Sequence, residues 1–183
     1  MLIIRIKAPA KAKKGEVIKE KKEILKIIED WVMNDLSVID PDLGFAPCPY
    51  AKKAFKEDKL RIVECVSRQD LWGTIAAQCK NFSDKHSIVI CLEEEPSQTY
   101  EEVEAACVAM NEWFAYNKMD VWLLAFQTNF TMVFIQRLSE LDEASQKLEK
   151  MGYYQNYDTE DYVNLILNRR YRRHENGRCQ KTS

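Results

Sequence analysis

The sequence predicts an α+β domain in which a small mixed sheet is covered by helices. Three observations carry that reading. Stretches with apolar residues at helical spacing alternate along the chain with short continuous apolar runs of strand length, the pattern of a helix-covered sheet. The 183 residues include only five Gly and five Pro, too few for a turn-rich all-β fold or a long low-complexity region. Hydrophobic residues make up 46% and charged residues 31%, enough apolar material for one buried core at this length.

Residues 2–7 alternate apolar and polar and are expected to form a short strand, followed by a basic connector to residue 15. From 16 to about 36 the pattern is helical: Val17, Ile24, Ile27, Ile28, Trp31 and Val32 form one stripe. Asp40-Pro41-Asp42 is turn chemistry. Pro49 suits the first turn of a short helix over 50–56, where a missing N–H is not felt. Residues 60–66 read as a strand and 69–81 as a helix. The run Ser-Ile-Val-Ile-Cys-Leu at 87–92 reads as a strand buried on both faces. Thr99 with Glu102 three residues on forms a capping box that opens a helix to 116. Residues 121–126 and 131–136 are two further strands. Ser139 is the expected cap of a helix running to about Met151, with Gly152 near its end. Thr159 is the expected cap of a last helix over 160–172. The middle of this order has a ferredoxin-like arrangement as one candidate, with two C-terminal helices added. Residues 16–172 are expected to be one domain, and 173–183 a disordered basic tail.

Six cysteines are present, none in a C-x-x-C pair. Cys65, Cys91 and Cys107 sit in apolar stretches, as free core cysteines do in a reducing compartment. Cys79 is expected half-buried and Cys179 exposed in the tail. A cytoplasmic protein follows as the expectation. With two His and no close Cys pair, no zinc ligand set has the usual spacing, so no metal and no cofactor is expected. The few glycines are scattered, which excludes a P-loop or dinucleotide fingerprint. No apolar run approaches the roughly 20 residues of a membrane helix, so no membrane partner is expected, and the first residues lack a secretory pattern.

The net charge of −2 conceals basic ends on an acidic body. Residues 1–28 carry about +6 and 168–183 about +5, which leaves about −13 between them. The densest run is Arg169-Arg170-Tyr171-Arg172-Arg173. Guanidiniums around an aromatic ring pair phosphates and stack on bases, so this segment is the candidate surface for nucleic acid or a protein partner. The same cations equally suit the C-terminal end of a helix dipole.

Cys48 is the candidate reactive group. A thiol just before a helix N-terminus feels the positive end of the dipole, which favours thiolate. Lys52 and Lys53 stand one turn along and add positive field. Pro47 and Pro49 stiffen the backbone around the sulfur, an arrangement that equally serves as a rigid corner. His86 is the distant candidate base, since such pairs meet in space rather than in sequence; a solvated loop His is its other reading. Glu93-Glu94-Glu95 follows a buried strand, where ligands often sit. The triplet reads either as a seat for a hard cation such as Mg²⁺ or as a solvated acidic loop. Tyr153, Tyr154 and Tyr157 line a pocket or hold down the last helix.

Trp31 followed by Gly44-Phe45-Ala46-Pro47-Cys48-Pro49-Tyr50-Ala51-Lys52 and then a strand opening Arg-Ile-Val resembles a family of small bacterial proteins marked by a Leu-Cys-Pro-Phe-Ala peptide. The resemblance covers roughly residues 20–126 and extends to Asn111-Glu112-Trp113-Phe114. It implies a shared architecture with its focus on Cys48. It implies no reaction, because the family's function is unassigned. The family's later His-Pro peptide has no match: residues 125–130 read Ala-Phe-Gln-Thr-Asn-Phe. Two readings of function follow: a reactive-thiol pocket built on Cys48, Lys52 and His86 for a small molecule, or a non-catalytic adaptor that binds through 169–173.

Overall fold

In the computed structural model, residues 21–39, 41, 44, 46, 48–65 and 70–171 are described. The expected strand over 2–7, the connector, and the tail with Arg172, Arg173 and Cys179 lie outside them. The elements are α1 (Lys21–Trp31), which continues as a π turn (Val32–Leu36), α2 (Ala51–Lys56), β1 (Leu60–Cys65), α3 (Asp70–Lys80), β2 (Ile88–Glu93), α4 (Tyr100–Tyr116), β3 (Trp122–Gln127), β4 (Thr131–Gln136), α5 (Leu138–Lys150), a 3₁₀ turn (Tyr153–Asn156) and α6 (Thr159–Tyr162), which continues as a π turn (Val163–Leu167). No helix among them is long and apolar enough to cross a membrane.

The four strands form one sheet in the order β1-β2-β4-β3. β1 and β2 are parallel, and β4 is antiparallel to both β2 and β3. The sheet is mixed and helix-covered, as the sequence predicts. The ferredoxin-like alternative fails on connectivity. That motif runs βαββαβ, whereas here two strand–helix–strand crossovers come first and the β3–β4 hairpin comes last. β2 and β4 are buried at all six positions each and take the centre.

Strand alternation sorts the side chains onto two faces. Ile88, Ile90, Leu92, Met132 and Phe134 meet Ile28, Trp31, Val32 and Leu36 of α1 and its π turn, together with Ala51 and Ala54 of α2. Trp31 stands edge-on to Phe126 and Phe134, with ring centroids 6.0 and 6.2 Å away. On the opposite face Val89, Cys91, Leu123, Val133 and Ile135 meet Leu71, Ile75 and Cys79 of α3 and Val103, Cys107 and Phe114 of α4. Cys79 is therefore a core residue rather than a half-buried one.

Helix ends follow local chemistry where the partner is local. Thr99 and Glu102 form the expected capping box. Ser139 is not a cap: α5 begins at Leu138, and Asp120 from the loop between α4 and β3 accepts the Ser139 N–H and hydroxyl. Asp158, not Thr159, caps α6, accepting the Glu160 N–H at 2.8 Å. Gly152 closes α5 in the left-handed region at φ 78°, where a Cβ would strike the Gln155 side chain. Inside the core Asn111 clamps α4 to edge strand β3, giving an N–H to Leu123 O at 2.9 Å and accepting the Leu123 N–H at 2.7 Å.

Candidate functional site

The Cys48 peptide is a junction. The Cys48 N–H donates to Leu36 O at 2.7 Å, and the Ser37 hydroxyl donates to Cys48 O. Tyr153 donates its hydroxyl to Ala46 O, and Tyr50 donates to Ala144 O on α5. One short stretch thus ties the π turn after α1, the start of α2, α5 and the 3₁₀ turn together. Pro49 lies in the turn before α2 rather than in its first turn, since the helix opens at Ala51.

The electrostatic expectation at Cys48 is reversed. Burial pushes the thiol up, and the backbone N–H groups of Ala51 and Tyr50 pull down by less. Desolvation of a thiolate outweighs a six-residue helix's dipole. Neither Lys52 nor Lys53 acts on the sulfur; Lys53 is turned toward Glu57 at 3.8 Å. His86 stands apart. It lines an open groove of about 270 Å³ with Glu29, Asp58, Arg61 and Lys85 over a floor of Phe55, Leu60 and Ile62. Burial, then Lys85 and Arg61, lower its pKa. Among the described residues no hydrogen bond or charge contact joins it to Cys48.

The basic helix end is used internally. Arg169 is 5% exposed, and its Nε donates to Asp142 Oδ1 at 2.9 Å while Nη2 reaches the Ser145 hydroxyl at 3.0 Å. Arg170 donates to Glu149 at 2.6 Å and to Ser145. Both are withdrawn from any nucleic-acid surface; the sequence reads them as outward because their acidic partners lie more than twenty residues away. Of the run's described residues only Tyr171 is exposed. Tyr153, Tyr154, Tyr157 and Tyr162 stack on one another and hold the C-terminal helix down.

A second polar cluster lies at the other end of the molecule's logic, on the sheet itself. β1, β2 and β3 all run the same way, so Cys65, Glu93 and Gln127 end together, and Thr131 begins β4 beside them. Register places Cys65 opposite Glu93, Glu93 opposite Thr131, and Thr131 opposite Gln127. The four form one row on the face covered by α3 and α4. Glu93 is 4% exposed and Thr131 fully buried. Ser97 donates its hydroxyl to Glu93 Oε1 at 2.7 Å, whereas Oε2 is buried and has no partner among the described residues. Gln127 Nε2 donates to Gln98 O at 2.8 Å and more weakly to Thr131 Oγ1 at 3.4 Å. Trp72 of α3 donates its indole N–H to Gln98 Oε1 at 3.0 Å. The Cys65 thiol is pushed up by burial; the Thr74 hydroxyl opposes, and the charges of Glu93 and Asp70 add to the rise.

Of the acidic triplet only Glu93 belongs to this row; Glu94 and Glu95 are exposed. The triplet is thus split between one buried and two solvated carboxylates, and no group of three His, Cys, Asp or Glu side chains that could hold a metal occurs among the described residues. Thr131, Gln127, Trp72 and a polar role for Cys65 are absent from the sequence reading. One signal pointed there: Glu93 falls in phase with core residues Val89 and Cys91, a carboxylate at a buried strand position. Comparison with protein-family models, curated proteins and solved structures finds no match for this chain.

Proposed function

We propose that the protein binds a small polar molecule at the carboxyl end of its sheet, in the row formed by Glu93, Thr131, Gln127 and Cys65. One observation carries this: a carboxylate 4% exposed to solvent keeps one oxygen, Oε2, without a hydrogen-bond partner among the described residues. Native proteins seldom leave a buried polar atom unpaired, because each costs on the order of 1–3 kcal/mol or more when charged. The carboxyl ends of strands in helix-covered sheets are also where ligands gather.

The Cys48 peptide takes the structural role on this reading. Its thiol is held protonated by burial, and its backbone is committed to fastening neighbouring elements. The resemblance to the Leu-Cys-Pro-Phe-Ala family is then a kinship of fold, with the motif marking a corner. A reducing, cytoplasmic setting fits the five cysteines among the described residues, all free and four of them buried.

The test is a screen of small polar compounds by ligand-observed NMR against the protein and its Glu93→Gln variant. Compounds that bind saturably to the first and lose binding to the second support the reading. A screen in which every binder keeps its affinity in the variant, or in which nothing binds, overturns it.

A further inference from the structure

Resting on that site reading, we infer that its ligand presents a compact cationic donor, a primary ammonium or an amidinium group. The count of donors and acceptors in the row leads to this. Glu93 as a carboxylate offers only acceptors, and Ser97 occupies one oxygen. Gln127 spends its amide donors on Gln98 O and Thr131 Oγ1. Trp72 has already given its only donor to Gln98. The donors that remain, the Thr131 hydroxyl and the Cys65 thiol, are neutral, and neither pairs with Glu93 Oε2.

Charge points the same way. Glu93 and Asp70 both act on the Cys65 sulfur, and Glu94 and Glu95 follow directly with exposed side chains. Among the described residues no Lys, Arg or His pairs with Glu93. An anion would meet the repulsion of Glu93. A neutral amide would satisfy Oε2 yet leave the charge uncompensated. A group that carries positive charge and only donors answers both deficits, and a charge-assisted bond to carboxylate is the stronger kind.

Acetamidinium, acetamide and acetate test this. They share one shape and differ in charge and donors. Each is titrated into isotope-labelled protein while the Trp72 indole N–H and Gln127 side-chain amide signals are followed. Acetamidinium is expected to shift both saturably, and to bind about tenfold more weakly to Glu93→Gln. Gln127→Ala, which leaves Glu93 in place, is expected to weaken binding several-fold and covers the case in which Glu93→Gln does not fold. Equal or stronger shifts with acetamide or acetate overturn the cationic class while leaving the site. No shift with any probe overturns the site as well.

Discussion

Replacing Arg169 by Met should unfold the protein far more readily than a surface mutation does. Arg169 and Asp142 each have side chains 5% exposed and meet at 2.9 Å, with Ser145 as a second acceptor. For Arg169 burial outweighs the attraction of Asp142, since desolvation is the larger influence on its pKa and lowers it. The pair is thus no large source of net stability. Breaking it is another matter, because Met leaves the Asp142 charge buried without its guanidinium. Orphaning one partner of a buried pair costs about 3–5 kcal/mol. For a chain of this length about 2–4 °C is lost per kcal/mol, so the midpoint should fall by about 6–20 °C. Urea unfolding should show a lower midpoint with an unchanged slope. The double change Arg169→Met with Asp142→Leu should recover part of the loss. A cost below about 1 kcal/mol, the level of an exposed pair, would refute the burial reasoning and return Arg169 to the candidate nucleic-acid surface.

Three further outcomes are expected. Cys48 should alkylate slowly, with an apparent pKa above that of a free thiol, because burial dominates there; mass spectrometry across pH reads this, and fast labelling near neutrality would revive a thiol reaction. Asn111→Leu should cost about 3 kcal/mol by orphaning the Leu123 N–H and C=O, and hydrogen exchange at Leu123 should accelerate; unchanged protection would contradict the clamp. His86 should titrate below its ordinary 6.5. Its folded-state pKa is depressed, so the unfolded chain binds the proton more readily, and a small part of stability is lost as pH falls from 6.5 through the folded value. An NMR titration with a midpoint at or above 6.5 would reverse that sign.

Features whose cause is local were legible in the sequence. Thr99 and Glu102 stand three residues apart, and their box formed as read. The continuous apolar run of β2 announced a strand buried on both faces, and β2 is central. Features whose cause is distant were not. The true N-terminal partner of α5 is Asp120, nineteen residues from Ser139, and no spacing rule reaches that far. Arg169 looked like a solvated cation because its partner, Asp142, lies twenty-seven residues back. The strand order escaped because a hairpin following two crossovers fits on either side of the existing pair. Burial of β4 on both faces, against partial exposure of β3, is what sets β4 inside.

Two buried carboxylates in this fold separate structure from function. Asp142 is 3% exposed and Glu93 4%, so each incurs a comparable desolvation cost. At Asp142 the chain supplies a guanidinium from its last helix. The cost is met inside the molecule, and the pair fastens α5 to that helix. At Glu93 the chain supplies one serine hydroxyl and leaves the other oxygen without a hydrogen-bond partner among the described residues. A residue placed only for packing would have been apolar at that phase of β2, as Val89 and Cys91 are. An under-satisfied acid at the end of the sheet where three strands finish together is the feature on which the proposed ligand site rests.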